Sequence, residues 1–212
     1  MKTLDLLATS LGRRDEVPNV ELAKEIVKKK DKKAVAELIT IVQNEKKDLQ
    51  HDAIKTLYEI AERDAGLVSS HCRFFITLLE SKSNRMQWGA MTALERVTPG
   101  NEKIVYAALP KIIAIADAGS VITRDHAVNI LIMLCKVKAY QKNAFSLLLE
   151  QVLSSPPNQV PAYAEHALPV INEKNKKEFA RVLTSRLKDI EKESKKKRVE
   201  NVLKKISSSP KG

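Results

Sequence analysis

Hydrophobic side chains recur along this chain with a period of about 37 residues. Small apolar anchors stand 37, 37, 37 and 35 residues apart, at Ala53, Ala90, Ala127, Ala164 and Val199. Each anchor is followed four positions later by Leu and seven positions later by Ile, Val or Leu. Because each helical residue turns by about 100°, offsets of 0, +4 and +7 lie on one face of a helix. Each block therefore predicts a helix with one apolar face.

A second apolar set repeats upstream of the anchors. Leu38, Phe75, Ile112 and Leu149 are spaced by 37 residues, which predicts a partner helix in each repeat. A fixed period of this size is typical of a helical repeat array. Pro169 removes a backbone donor and should kink or shorten the second helix of repeat four. The predicted helix pairs are 33–43 with 48–63, 66–80 with 84–97, 102–116 with 120–137, 141–153 with 160–171, and 176–190 with 195–206.

The same pattern predicts the domain organisation. Residues 1–206 are expected to form one all-α domain, in which 1–32 is an N-terminal helical cap and 33–172 holds four repeats. Residues 173–206 form a basic capping repeat, where Lys195 replaces the apolar residue expected four positions before the anchor. A disordered tail is expected at 207–212.

The repeats resemble the HEAT family of α-solenoids, with armadillo-like arrays as near neighbours. The resemblance is carried best by repeat three, through Ala108-Leu109-Pro110, Ile112, Ile113, Asp117, Val121, Arg124, Ala127 and Leu131. It implies a right-handed α-α superhelix of about five two-helix repeats, including a proline-kinked first helix in repeat three. It also implies that the second helices line a concave surface where ligands bind.

Composition and charge narrow the function classes. Four Phe, four Tyr, one Trp and six Gly in 212 residues favour helix over strand. The net charge of +11 lies at the ends: residues 34–172 carry 14 basic and 14 acidic side chains, whereas residues 173–212 carry 14 and six. The two cysteines, Cys72 and Cys135, fall in apolar helical patterns and are expected to be reduced core thiols. The first 14 residues show no secretory signal pattern, so a cytoplasmic location is expected. A monomer is expected as well.

Signatures of catalysis are scarce. The sequence has no glycine-rich phosphate loop, nucleophile elbow or His-Glu-x-x-His helix, and its four histidines fall in separate repeats. No catalytic residue, cofactor or metal site is therefore predicted, and the leading hypothesis is a non-catalytic scaffold that binds a protein or peptide.

Offsets of −2, +2 and +5 from each anchor point away from the apolar stripe and predict a partner-binding row. Trp88, the only tryptophan, would anchor a peptide or a base, although packing against a neighbouring helix is the alternative for this residue. The predicted row is His51, Lys55, Tyr58, Trp88, Thr92, Asp125, Asn129 and His166.

The basic end offers a second candidate surface. The run Lys195, Lys196, Lys197 and Arg198 predicts contact with a polyanion, with a solvated helix face as the alternative. Two further functions stay open. One is DNA binding, either as a plain binding protein or as an enzyme, since Trp88 and Asp125 loosely resemble the concave surface of HEAT-like alkylpurine DNA glycosylases. The other is an adaptor that uses the basic C-terminal cap on an anionic membrane or acidic protein.

Overall fold

The computed structural model describes residues 2–208 and is all-helical over that range, with twelve α-helices and no strand. Short 3-10 turns occur between several of them. The helices are α1 Val17–Lys29, α2 Lys32–Asn44, α3 Lys47–Arg63, α4 Cys72–Leu78, α5 Asn84–Val97, α6 Glu102–Ala107, α7 Leu109–Ala118, α8 Val121–Cys135, α9 Gln141–Ser154, α10 Val160–Ala167, α11 Lys176–Arg186 and α12 Glu193–Ser208.

The chain divides into two compact units, one up to Ala127 and one from Val128 onward, with the division inside α8. In the first unit α3 packs against α1, α2 and α5, and α5 packs against α4. In the second unit α9 packs against α11, and α10 packs against α12. Helices two apart in the chain thus lie side by side within each unit. The single domain predicted for 1–206 stays a prediction.

The five anchors are buried as their period predicts. Ala53, Ala90, Ala127, Ala164 and Val199 all have 0% exposure. The leucines four positions later are fully buried in the first three repeats and half-buried in the last two. The 37-residue pattern therefore marks the core.

Most helix ends fall close to their predicted positions, and two prolines act as expected. Helix α10 stops at Ala167 and continues as a 3-10 turn, Leu168–Val170, around Pro169. The first helix of repeat three breaks at Ala108 into α6 and α7, with Pro110 in the first turn of α7.

Three predicted boundaries are wrong. The first helix of repeat five, predicted to residue 190, ends as α11 at Arg186 and is followed by a 3-10 turn, Leu187–Asp189. The first helix of repeat two was expected from residue 66, but α4 begins at Cys72 after two 3-10 turns. Asp64 Oδ1 accepts a bond from the Gly66 N–H at 3.1 Å, so a local side-chain bond competes with the helix there. Residues 207 and 208 belong to α12, although the tail was expected to begin at 207; residues 209–212 lie outside the described part of the chain.

The two thiols are free and buried, as expected. Burial raises the pKa of Cys72 to about 11 and that of Cys135 to about 12.

Among residues 2–208 no helix is long and apolar enough to cross a membrane.

Gly89 lies on α5 against Ile54 and Tyr58 of α3. A Cβ at this position would stand 2.8 Å from Ile54 Cγ1 and 3.5 Å from Tyr58 Cδ1. Alanine gains about 1 kcal/mol of helix propensity, but forcing an extra methyl into a packed contact costs about 1–3 kcal/mol. Because Ile54 is fully buried and cannot swing away, we expect Gly89→Ala to lower the free energy of unfolding by about 1 kcal/mol in urea titrations.

The control for this substitution is Ser146→Ala, since Ser146 is exposed on α9 and meets no such clash. It should be neutral or slightly stabilising. A Gly89→Ala protein more stable than wild type would contradict the close packing of α3 and α5.

Candidate functional site

The predicted partner-binding row is only partly exposed. Lys55, Tyr58 and Thr92 are buried. The others are half-buried or exposed: His51, Trp88, Asp125 and Asn129 are half-buried, and His166 is exposed. Binding by this row stays a prediction.

The reason for the burial in α3 is its position among three other helices. Residues 52–61 of α3 are all buried, so this helix has no open side over that stretch. Helix α1 packs on α3, and the segment before α1 is tied to it through buried polar groups. Asp52 accepts bonds from the Thr9 N–H at 2.7 Å and from Asn19 Nδ2 at 2.8 Å. The side of α3 opposite its apolar stripe is therefore a packing surface.

Trp88 belongs to a group of five residues linked by contacts, and we call Glu16, Lys55, Tyr58, Arg85 and Trp88 the Trp88 cluster. The Tyr58 and Trp88 rings lie 5.4 Å apart between centroids, tilted by 53°. Lys55 Nζ lies 4.7 Å from the Tyr58 ring centroid, within the range of a cation–π contact. Trp88 thus stands half-buried against an aromatic ring on α3.

A carboxylate from outside the repeats completes this cluster. Glu16, directly before α1, lies 3.1 Å from Lys55 Nζ through Oε2, and Arg85 Nη2 donates to its Oε1. Lys55 also donates to Glu59 Oε1 at 2.7 Å, and Glu59 pairs with Arg63. The Lys55–Glu59 contact could be found from its i,i+4 spacing. No spacing rule points to Glu16.

The pKa shifts in this region follow from burial and pairing. Burial alone would lower the pKa of Lys55, but hydrogen bonds with Glu59, Tyr58 and Glu16 outweigh it and raise the pKa. Burial would raise the pKa of Glu59, but Lys55 and Arg63 hold it below its usual range. Burial lowers the pKa of His51, and the nearby charge of Arg85 adds to that effect. The charged forms of Lys55 and Glu59 are therefore stabilised in the fold.

His126 links α8 to α5 beside the cluster. Its Nδ1 lies 2.6 Å from Glu95 Oε2 and its Nε2 lies 2.8 Å from Thr92 Oγ1. A carboxylate, an imidazole and a hydroxyl in line can activate a nucleophile. Here the Thr92 hydroxyl also bonds the Trp88 carbonyl oxygen at 2.9 Å, and the residue is 5% exposed. The contact joins two helices.

The two predicted site residues of the second unit, Asn129 and His166, contact each other and do not belong to the Trp88 cluster. His166 Nδ1 lies 3.2 Å from Asn129 Oδ1, which links α10 to α8. Asp117 and Arg124, part of the HEAT resemblance, belong to the first unit and lie 3.5 Å apart between Oδ1 and Nη2. No group of three or more His, Cys, Asp or Glu within residues 2–208 is placed to hold a metal ion.

The basic run is mostly engaged with its surroundings. Arg198 donates to both Glu165 carboxylate oxygens, at 2.8 and 2.5 Å, and holds the pKa of that carboxyl below its usual range. Lys195 donates to Asn158 Oδ1 at 3.1 Å, and Lys196 pairs with Glu193 at 3.4 Å. Lys197 has no polar partner in the described chain. Contact of this run with a polyanion stays a prediction.

Comparisons with known proteins do not identify a family. No family model matches the sequence, and no curated protein matches it. A solved structure of an engineered protein from the Northeast Structural Genomics Consortium is similar to this chain at 15% identity, with 98% of each chain covered and a TM-score of 0.49. Likeness at that level says nothing about what this chain binds.

Proposed function

We propose that this protein is a non-catalytic interaction module whose hairpins stack as a short HEAT-like, right-handed superhelix of about five repeats. Support comes from the 37-residue period, from anchors buried in both units, and from the side-by-side packing of helices two apart. The partner is a protein or peptide, and the module acts as a cytoplasmic monomer. Its two reduced, buried thiols agree with a reducing compartment.

The observation that carries this proposal is the setting of Trp88. Its ring is half-buried against Tyr58, and its indole N–H has no hydrogen-bond acceptor within residues 2–208. Tyr58 is itself in contact with Lys55, and both Lys55 and Arg85 pair with Glu16. A tryptophan held on a fixed support loses little conformational freedom on binding and is a frequent hot spot of protein interfaces.

A protein partner suits this surface better than a nucleic acid. Both cations of the Trp88 cluster, Lys55 and Arg85, are paired with the Glu16 carboxylate. A phosphate would have to displace that carboxylate before it could use either cation. A peptide can instead bury an apolar side chain on Trp88 and accept a bond from its indole N–H.

Replacing Trp88 by alanine should therefore weaken the partner complex. We expect a loss of about 2 kcal/mol or more, which is roughly thirtyfold in Kd. The measurement is quantitative capture from a lysate of the source organism, followed by titration of the captured partner. Trp88 is the sole tryptophan, so its intrinsic fluorescence should also shift when that partner binds the wild type.

The control is Leu153→Ala, since Leu153 is a large apolar residue exposed to 50% on another helix. It should leave capture unchanged, and circular dichroism checks that both variants are folded. A partner set that Trp88→Ala leaves intact would overturn the proposal. Binding of duplex DNA that weakens steeply with salt and is lost in Trp88→Ala would favour a nucleic-acid partner instead.

A further inference from the structure

A second surface lies at the basic end of the chain, between the last two helices. We call it the C-terminal groove: it has a volume of about 460 Å³, and its lining includes Lys176, Lys177, Ala180, Leu203, Lys204 and Ile206. No Asp or Glu among the described residues lines it. The groove therefore combines an apolar floor with a rim of three lysines and two neutral hydroxyl residues, Thr184 and Ser207.

The rim cations differ from those of the run at 195–198. Lys177 and Lys204 are exposed, and neither has a carboxylate partner in the described chain. Arg181, one helical turn after Lys177 on α11, is likewise exposed and unpaired there. Lys176 is held by Glu173 at 2.5 Å. Part of the unpaired positive charge of this region, Lys177 and Lys204, thus lies at the groove, with Arg181 next to it on α11.

The floor is an apolar surface of the last hairpin that is incompletely covered. Leu203 occupies the position four residues after the anchor, where the leucines of the first three repeats are fully buried, yet it is only half-buried. Ala180 is half-buried on α11, one turn after Lys177. Covering these side chains with another apolar surface would release ordered water and favour binding.

We propose that the C-terminal groove binds an acidic amphipathic helix of a partner protein. Leu and Ile side chains of such a helix would enter the groove, while its carboxylates would meet Lys177, Lys204 and Arg181. This surface is separate from Trp88, so the inference goes beyond the proposed function and does not depend on it.

Three other occupants fit the groove less well. A second copy of this chain carries a net charge of +11 and would bring like charge to the rim. Single-stranded nucleic acid needs aromatic stacking partners, but Phe179, the aromatic residue of α11, has 0% exposure. A bilayer needs protruding apolar side chains, whereas no exposed large hydrophobic residue described lies on α11 or α12.

The test uses the full chain and a fluorescein-labelled peptide of about 18 residues, or about five helical turns. The peptide carries Leu at positions i, i+3, i+4 and i+7 of successive turns, a few Glu on the opposite face, and Ala elsewhere, because like charges at i,i+4 would oppose the helix. Fluorescence anisotropy should show saturable binding that weakens as salt rises. A peptide of the same composition in scrambled order should bind much less, because it cannot present one apolar face.

Charge reversal at the rim provides the decisive comparison. Lys177→Glu with Lys204→Glu should raise the Kd about tenfold or more, because two attractions become repulsions. The matched control is Lys28→Glu with Lys103→Glu, two exposed and unpaired lysines of α1 and α6 that give the same net charge. Leu203→Ser keeps the charge and should weaken binding severalfold through the floor alone.

The outcomes separate this proposal from its alternatives. Equal losses in the two double variants, or equal binding of the scrambled peptide, would show general attraction to a basic protein and overturn it. Tighter binding of phosphatidylglycerol vesicles or of an oligonucleotide, lost on reversal of Lys177 and Lys204, would assign the groove to those ligands instead. Trp88→Ala should bind the peptide as wild type does, so failure of the proposed function leaves this result intact.

Discussion

Replacing Lys55 with methionine should lower the free energy of unfolding by about 3 kcal/mol, within the range for removing one partner of a buried ion pair. Lys55 is 9% exposed and binds both Glu59, at 2.7 Å, and Glu16, at 3.1 Å. Methionine preserves much of the apolar stem but leaves Glu59, itself 9% exposed, short of one cation. In a domain of this size, the melting temperature should fall by about 6–12 °C.

The loss should depend on pH in a defined direction. The pKa of Glu59 is lowered in the fold, so its stabilising contribution is complete above its ordinary pKa of 4.5 and is lost as pH falls through the lower folded pKa. Without Lys55 the lowering weakens while burial remains. The Lys55→Met defect should therefore be largest near neutral pH and should shrink in acid, where Glu59 is protonated in both proteins.

The pKa of Lys55 is raised in the fold, so its contribution to stability is lost at high pH, whereas that of Glu59 is lost at low pH. The contribution of Lys55 is complete below the ordinary lysine pKa of 10.5 and is lost only as pH rises toward the folded pKa. Urea titrations at several pH values measure both limits. The expected pattern is a difference between wild type and Lys55→Met that is flat from neutral pH to about pH 10 and falls away in acid.

The control is Lys47→Met, on the exposed first turn of the same helix, which should change stability by less than about 0.5 kcal/mol. Adding Glu59→Gln to Lys55→Met should recover part of the loss, because the unpaired buried charge is then gone. Lys55→Met as stable as Lys47→Met would contradict a buried ionic role.

The buried positions of the fold were the most predictable part of the molecule. Ala53, Ala90 and Ala127 were identified by spacing alone, and each is fully buried. Periodicity succeeds here because burial of one helix face is the main source of helix stability in a protein. It fails at α4, whose expected first turns become 3-10 turns through the local bond between Asp64 and Gly66.

The candidate site was predicted less well because it depends on contacts between distant parts of the chain. Glu16 and Arg85 are 69 residues apart, and neither belongs to the periodic pattern. The offset rule places Lys55 and Tyr58 away from the apolar stripe of α3, which is correct for an isolated hairpin. It does not foresee that α1 and the segment before it cover that side.

Trp88 and the basic run show how far residue type alone leads. For Trp88 the alternative to partner binding is packing against a neighbouring helix, and its ring does contact Tyr58 on α3. In the basic run, folding brings Asn158 to Lys195 and Glu165 to Arg198. Lys196 pairs with Glu193, three residues earlier in the same helix. A sequence gives the number of cations in a region, whereas folding decides which of them remain available.

Replacing Arg186, in the second unit, with methionine should lower the free energy of unfolding by about 3 kcal/mol. Each hydrogen bond to a charged group contributes about 1.5–3 kcal/mol. Arg186 is 9% exposed; its Nη2 donates to the Ser155 carbonyl oxygen at 2.8 Å and its Nη1 donates to that of Leu153. Helix α9 ends at Ser154, so these carbonyls are among those a helix leaves without internal donors. The positive guanidinium also suits the negative end of the α9 dipole.

The matched control is Arg181→Met, which removes an exposed arginine from the same helix and should change stability by less than about 0.5 kcal/mol. Arg186→Lys keeps the charge, but lysine lacks the planar guanidinium that reaches both carbonyls, so an intermediate loss of stability is expected.

Cys135 lies in the second unit and Cys72 in the first, and both thiols are buried. If Arg186 anchors α9 to α11, its replacement by methionine should speed labelling of Cys135 more than that of Cys72, because local opening starts where packing is lost. Equal stability of the Arg186→Met and Arg181→Met proteins in urea would refute the anchoring role.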